Sequence, residues 1–407
     1  MMLKNKKISL YISGGIAAYK MANFARSLIK AGAEVRVAMT DAAQAFITPL
    51  TLQVLTKHEV MSDVLVENDP QSVAHIEFAQ WGDYSILAPA TANSIAKLAQ
   101  GIADNFVSTA LLATPRPVFV VPAMNDQMYD HPAHQRNLAL LQEDGHHVME
   151  PDYGFLAEGY EAKGRLPDDA AIIEELSHWI RSQEDLPLKG RHILVSSGGT
   201  IERIDPVRYI SNDSSGRMGN AVAQAAYDLG ADVTLVTTSS LAVNNHIHRL
   251  QVESAHEMYE ALEEKFDDCQ ALIMSAAVSD FTPAQSADQK IKKESSEDIM
   301  TLHLKQNRDI LKTLGQKKEK QIVVGFAAET QDLEKYARRK LAEKNLDMIV
   351  ANDVSKPGSG FNVDTNEVIM IKRNGDQLAV PQTSKNNIGQ LIMTEVTNMI
   401  EETDSND

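Results

Sequence analysis

The turn Ser13-Gly14-Gly15 separates the β-branched run KISLYI from the helix-like IAAYKMANFARSLIK. Glycines at such a junction let backbone approach a phosphate, and the helix start favours its negative charge. A tight connection without any ligand uses the same glycines. A second junction lies in LAPATANSIAKLAQGIADN, where Pro89, Ala90 and Thr91 close an apolar run, Asn93 leads a helix and Asn105 follows it. Small residues at strand carboxyl ends are where open α/β sheets bind ligands. A third polar turn is VPAMNDQMYDHP, with Asn125 at its centre. His75, in SVAHIEFAQW, carries a side chain able to move protons near neutral pH. A lone histidine is nevertheless more often an ordinary surface or core residue.

The second half has its own candidates. SSGGTIERIDPVRYISNDSSGRMG is a long loop of Gly, Ser and Asn, and loops of that length in compact domains are usually functional. Lys340 and Lys344 are four apart on one face of a predicted helix, so both ammonium groups can reach one phosphate chain. A solvated lysine face has the same spacing. Asp280, in SAAVSD, reads equally as a site carboxylate and as a loop cap.

These residues need strands and helices to hold them. Strands are predicted over residues 7–12, 34–39, 83–88, 117–121 and 148–150, with helices over 16–30 and 168–181. Alternation of this kind implies βαβ units and a doubly wound, mainly parallel sheet. The polar stretch SQEDLPLKG then separates a first domain, residues 1–189, from a second, residues 190–407. The pattern restarts there with strands over 192–196, 232–237, 271–275, 322–326 and 348–351, and a helix over 217–229. Residues 367–372 and 377–380 read as a hairpin with an Asn-Gly primed turn. A closing helix spans 384–400, and EETDSND reads as a frayed acidic tail.

Bulk properties exclude several classes. The 407 residues are 43% hydrophobic and 23% charged, enough for more than one core. A net charge of −17 without a basic stripe argues against nucleic-acid binding. No apolar run reaches the roughly 18 residues of a membrane span. Cys269 is the single cysteine, which precludes an intrachain disulfide and fits a cytoplasmic protein.

Taken together, SGGIAAYK, APATANSIAKLAQGIADN and PAMNDQM resemble the flavin-containing cysteine decarboxylase family. SAAVSDFTP, KIKK, NRDIL, VGFAAET and ARRKLAEKNLDMIVAND, with the long loop, resemble phosphopantothenate–cysteine ligases. Their order is that of the bifunctional coenzyme A biosynthesis family. The resemblance implies a flavodoxin-like domain with FMN, held around Ser13, Gly14, Gly15, Pro89, Ala90, Thr91, Asn93 and Asn105. It assigns His75 as the catalytic base and Asn125 to the substrate carboxylate. In a Rossmann-like ligase domain it implies CTP among Met274, Ser275, Ala276, Asp280, Lys290, Asn307, Arg308, Asp309, Ile310, Phe326, Lys340 and Lys344. Asn212 and Arg208 would hold phosphopantothenate or its acyl-cytidylate, and Mg²⁺ would ride on the triphosphate with no protein ligand assigned. Substrates would be 4′-phosphopantothenate, L-cysteine and CTP, in a homo-oligomer built from trimers of the first domain and dimers of the second.

The chemistry asks for these groups. A carboxyl beside an sp³ carbon cannot leave as carbon dioxide without an electron sink, which oxidation of the cysteine thiol end creates. A carboxylate does not acylate an amine until it is activated, here as an acyl-nucleotide with pyrophosphate leaving. One position departs from the family. The loop GFLAEGYEAKGRLPD carries Glu158 where the family has a proton-donating cysteine. A carboxylic acid can replace that thiol if a dry environment raises its pKa, with Phe155, Leu156 and Tyr160 available to shield it. Competing readings are an FMN-binding regulatory subunit, a peptide-cysteine decarboxylase and a flavin prenyltransferase. None of them accounts for the ligase-like half.

Overall fold

The computed structural model describes residues 3–63, 73–292, 300–329, 333–353 and 363–406. The chain divides into two compact units, Met1–Gln183 and Glu184–Asp407.

The first unit is built on a six-stranded sheet. Its order is Val60–Met61, Glu34–Met39, Lys7–Ile12, Tyr84–Ala90, Val118–Pro122, His147–Val148. Every pairing in it is parallel. Both faces are covered, so the strands read as unbroken apolar runs rather than alternating ones. Ile8, Leu10 and Ile12 pack into one cluster with Phe24 and Leu28, while Tyr11 packs on the opposite face with Phe78 and Phe106. Strand order reverses between Lys7–Ile12 and Tyr84–Ala90, the point where an open α/β sheet leaves a crevice. The helix predicted over 16–30 divides here into a 3₁₀ turn, Ile16–Lys20, and an α-helix, Met21–Lys30. A small antiparallel hairpin, Asp152–Phe155 with Glu161–Arg165, was not predicted. Its strands are short and only one of their residues is buried, so they carry no apolar signal.

The second unit has an eight-stranded sheet. Its order is His248–Gln251, Asp232–Thr237, His192–Ser197, Ala271–Met274, Ile322–Glu329, Met348–Asp353, Thr365–Lys372, Gln377–Ser384. The first six strands are parallel and the last two form an antiparallel hairpin on the edge. Order again reverses between two central strands, His192–Ser197 and Ala271–Met274. Two sequence expectations fail here. The hairpin turn is not of a primed type, which needs positive φ at both central residues (I′) or at the first (II′). Only Gly375 has it, and the loop is instead a three-residue one, 373–375, closed by Lys372 and Asp376. The acidic tail is not frayed either. The last helix runs Lys385–Asn406, and Arg191 pairs with Asp404 near its end.

No helix among the described residues is long and apolar enough to cross a membrane.

Candidate active sites

In the first unit a cavity of about 1210 Å³ opens at the carboxyl ends of the parallel strands. Gly14, Gly15, Pro89, Thr91, Asn93, Asn105, Asn125 and Glu158 all line it. Ser13 lies behind the wall and ties two segments together. Its buried hydroxyl donates to the Pro89 carbonyl at 2.6 Å and accepts from the Thr91 amide at 2.9 Å. Ala90 is fully buried in its strand rather than on the cavity surface. Gly14 is required sterically, since a Cβ there would lie 2.3 Å from that of Ala42. Thr91 caps the helix Ala92–Gln100, and Asn105 caps Phe106–Leu112 in a reciprocal box with Ser108. Two helix starts therefore face one cavity, an arrangement suited to an anionic ligand.

Asn125 caps the short helix Asp126–Tyr129 through its side-chain oxygen, which accepts from the Gln127 amide at 2.9 Å. That leaves its amide nitrogen to donate, to Glu158 Oε1 at 3.1 Å and to the Tyr160 hydroxyl at 2.9 Å. Tyr160 in turn donates to Asp126 at 2.5 Å, which holds the Asp126 carboxyl below the usual range and raises the phenol. The hairpin bearing Glu158 is stitched to this turn, because the Met124 amide donates to the Gly164 carbonyl at 3.0 Å. Gly164 adopts φ +139°, and a Cβ there would lie 2.2 Å from the Met124 oxygen.

The dryness expected around Glu158 is absent. Glu158 is exposed, Phe155 is 66% and Tyr160 42% exposed, and only Leu156 is buried. His75 is the other departure. Its helix, Ala74–Trp81, is fixed by Phe78 and Ala79 against Phe106–Leu112 and the first strand, and His75 is not among the cavity residues. Its Nδ1 is buried with no hydrogen-bond partner among the described residues.

In the second unit a cavity of about 310 Å³ lies at the corresponding strand ends. It gathers Met274, Ser275, Ala276, Asp280, Asn307, Arg308, Asp309, Ile310, Phe326 and Lys344. Met274 accepts from the buried Ser196 hydroxyl at 3.1 Å, which in turn accepts from the Ala276 amide at 3.1 Å. Lys344 pairs with Asp309 at 2.8 Å, and the Arg308 guanidinium stacks 4.3 Å above the Tyr259 ring.

Four expected residues stand off this cavity. Lys340 lies within the helix Leu333–Glu343, while Lys344 follows the helix end and alone of the two reaches the cavity. Lys290 is exposed on a loop. Arg208 is engaged by Asp205 at 2.5 Å and by the Ile291 carbonyl at 2.9 Å, so it tethers the loop carrying Lys290. Asn212 donates to the Ala277 and Val278 carbonyls, each at 3.1 Å, closing the long polar loop over SAAVSD.

Residues 214–219, Asn352, Asn366 and Lys385 also line the cavity and were not singled out in the sequence. Gly219 carried a signal in SSGRMG: a Cβ there would lie 2.6 Å from Ser197 Cβ, so the helix start presses on the strand. Lys385 carried none, since a lysine opening a helix reads as a solvated residue.

Two mainly parallel sheets, each with a polar cavity at its switch point, define a two-domain α/β protein with a candidate ligand site in each unit. Residues 1–181 match the Flavoprotein family, and residues 188–400 match the DNA/pantothenate metabolism flavoprotein C-terminal domain. The chain is 46% identical over 404 residues to the coenzyme A biosynthesis bifunctional protein CoaBC of Bacillus subtilis (strain 168), spanning 99% of both. It is 44% identical over 405 residues to that of Escherichia coli (strain K12), again spanning 99% of both. Among solved structures it resembles the C-terminal domain of a CoaBC protein, at 38% identity and TM-score 0.46, covering 54% of this chain and 100% of that one. The chain belongs to the family of bifunctional coenzyme A biosynthesis proteins. It is an enzyme with decarboxylase and ligase activities.

Proposed function

We propose that residues 1–189 form an FMN-dependent phosphopantothenoylcysteine decarboxylase and residues 190–407 a CTP-dependent phosphopantothenate–cysteine ligase. Together they convert 4′-phosphopantothenate, L-cysteine and CTP into 4′-phosphopantetheine in the cytoplasm. The observation that carries this reading is the convergence of each motif set on its own cavity.

The first cavity suits FMN: it is large, and its Gly14–Gly15 turn and two capped helix starts offer backbone donors to a phosphate. Gly14, Gly15, Thr91, Asn93 and Asn105 would hold the cofactor, with Ser13, Pro89 and Ala90 shaping the wall. When bound, FMN supplies the two-electron oxidation that makes the substrate's carboxyl a leaving group. Asn125 orients that carboxylate through a neutral amide, without trapping it in an ion pair. Glu158, beside the Asn125 amide, delivers the final proton to carbon. His75 takes the thiol proton and comes from a neighbouring copy in a trimer. Its exposed helix start and orphaned Nδ1 support that arrangement, and closure by a second copy would supply the dryness Glu158 needs.

In the second unit Asn212 holds the acyl group, with Arg208 supporting the Lys290 loop. Lys290, Lys340 and Lys344 act on the nucleotide phosphates, and Mg²⁺ would accompany those phosphates and supply further positive charge there. The two exposed hairpins bearing Tyr209 and Phe281 offer apolar surface for a dimer.

The test is direct. Purified protein should be yellow and, given phosphopantothenate, cysteine, CTP and magnesium, should yield phosphopantetheine by mass spectrometry. A colourless protein that takes up no FMN and forms no phosphopantothenoylcysteine sinks both assignments.

A further inference from the structure

The side-chain amide of Asn125 is fully committed within the protein. Its oxygen accepts from the Gln127 amide at 2.9 Å, which fixes which way round the group sits. Its nitrogen carries two hydrogens. One goes to Glu158 Oε1 at 3.1 Å and the other to the Tyr160 hydroxyl at 2.9 Å. Both acceptors arrive on one tight turn, where the Leu156 amide donates to the Tyr160 carbonyl at 2.8 Å and the Gly159 amide to the Leu156 carbonyl at 3.1 Å. Gly159 adopts φ +92° there, and the buried Leu156 anchors the turn. Asn125 and Glu158 both line the cavity of the first unit.

Of the two acceptors, Glu158 is the one free to let go. Tyr160 is tied down, because its hydroxyl donates to Asp126 at 2.5 Å. Glu158 is exposed, so a change of rotamer turns its carboxylate into solvent without moving the backbone. A carboxylate is also the group that Asn125 is expected to orient on the substrate. Glu158 Oε1 and a substrate carboxylate oxygen are the same kind of acceptor for the same N–H. A thiol, which the family carries at this position, is a weak acceptor and would leave that N–H open.

We propose that Glu158 occupies the place of the substrate carboxylate on Asn125 and yields it when substrate binds. This rests on reading the first unit as the decarboxylase, with Asn125 as its carboxylate-orienting group. Molecules whose amide is held by Glu158 do not receive the substrate carboxylate, so the apparent affinity falls with the fraction of amide left open. The competition is selective, because it acts on ligands that carry the carboxylate and spares those that lack it. In the decarboxylation the C–C bond to the carboxyl breaks, its electron pair stays with the substrate, and carbon dioxide departs. The Asn125 N–H is then open again and Glu158 returns to it. An acid group is thereby brought beside the substrate only after the carboxyl has gone.

The experiment follows binding to the full-length, FMN-loaded enzyme by the change in flavin absorbance, which reports the first cavity alone. One probe is 4′-phosphopantothenoylserine, which keeps the carboxylate and has a hydroxyl in place of the oxidisable thiol. The other is the corresponding ethanolamine amide, which differs only in lacking the carboxylate. Glu158→Ala and Glu158→Cys should each bind the serine compound about fivefold more tightly than the parent, the shift expected if Glu158 holds the amide about four-fifths of the time. Their affinity for the ethanolamine compound should stay within about twofold of the parent, since that ligand does not compete for the amide. Glu161→Gln, which removes a charge from the same hairpin without touching the contact, should leave both affinities unchanged. Unchanged or weaker binding of the serine compound in both Glu158 variants overturns the proposal. Equal tightening of both probes overturns it too, as does a gain in Glu161→Gln matching that in Glu158→Ala. A parent enzyme that takes up FMN but whose flavin responds to neither probe overturns the decarboxylase reading and this inference with it.

Discussion

Asn125 donates from its amide nitrogen to the carboxylate of Glu158 across the hairpin at 3.1 Å. The group expected to orient the substrate carboxylate thus touches the group standing where relatives of the decarboxylase family use a thiol. If Glu158 protonates the enethiol carbon, Glu158→Gln should release a product two mass units lighter than phosphopantetheine. Phosphopantetheine formed at the parent rate removes Glu158 from that role.

Cys269 offers no substitute thiol. It lies in the second unit, 4% exposed, its pKa pushed up to about 12 by burial and its Sγ donating to the Phe266 carbonyl at 3.2 Å. Native protein should resist alkylation at pH 8 and react once unfolded in urea. Cys269→Ser, which keeps the donor, should make phosphopantetheine at the parent rate.

The ligase should be separable from the decarboxylase. Lys290→Gln and Asn212→Asp should each reduce ligation by about 100-fold, the scale set by misplacing a reacting group by 1 Å. Decarboxylation of supplied phosphopantothenoylcysteine should continue. In Asn212→Asp a carboxylate would face the Ala277 and Val278 carbonyls that the amide now bonds, prising the loop open. Equal loss of both activities in a folded variant argues against separate sites.

Asp205 gives the second unit an acid-sensitive anchor. It is 1% exposed, and Arg208, followed by the backbone amides of Val207, Ile291 and Arg208, holds its carboxyl well below the usual range against the opposing effect of burial. A depressed folded pKa means the anchor contributes fully above about pH 4 and is lost as pH falls further. Asp205→Asn should therefore flatten the pH dependence of the urea midpoint below pH 4. It should also weaken ligation, because Asp205 accepts from the Ile291 amide beside Lys290 at 3.2 Å.

Gly219→Ala should cost about 1–3 kcal/mol, the range for overpacking. The added methyl would meet Ser197 Cβ at 2.6 Å and the Ser196 oxygen at 2.8 Å, forcing the helix Arg217–Asp228 off its strand. Calorimetry of the full chain should show the second unit unfolding earlier and the first unchanged.

Chain-local chemistry was legible in the residues alone. Buried parallel strands such as KISLYI and HILVSS are recognisable because both their faces must be apolar. The Gly-Gly and Pro-Ala-Thr junctions are recognisable because strand-to-helix turns demand small residues and caps. These signals pointed to two α/β domains and to part of each cavity wall, including Asn125 and Lys344. Tertiary structure decided the rest. His75 lies off the cavity because Phe78 and Ala79, not His75, determine how its helix docks. Of two lysines on one helical face, only Lys344 reaches the cavity of the second unit, because the helix ends between them. Arg208 is claimed by Asp205, three residues away, through a turn whose closure depends on Ile291, more than eighty residues on. Lys385 becomes a cavity residue only because an edge hairpin pairs antiparallel to a parallel sheet and returns the chain to the strand ends. Which face of an element is buried can be read from its own period, whereas which residues from distant elements meet is set by the packing of all the others.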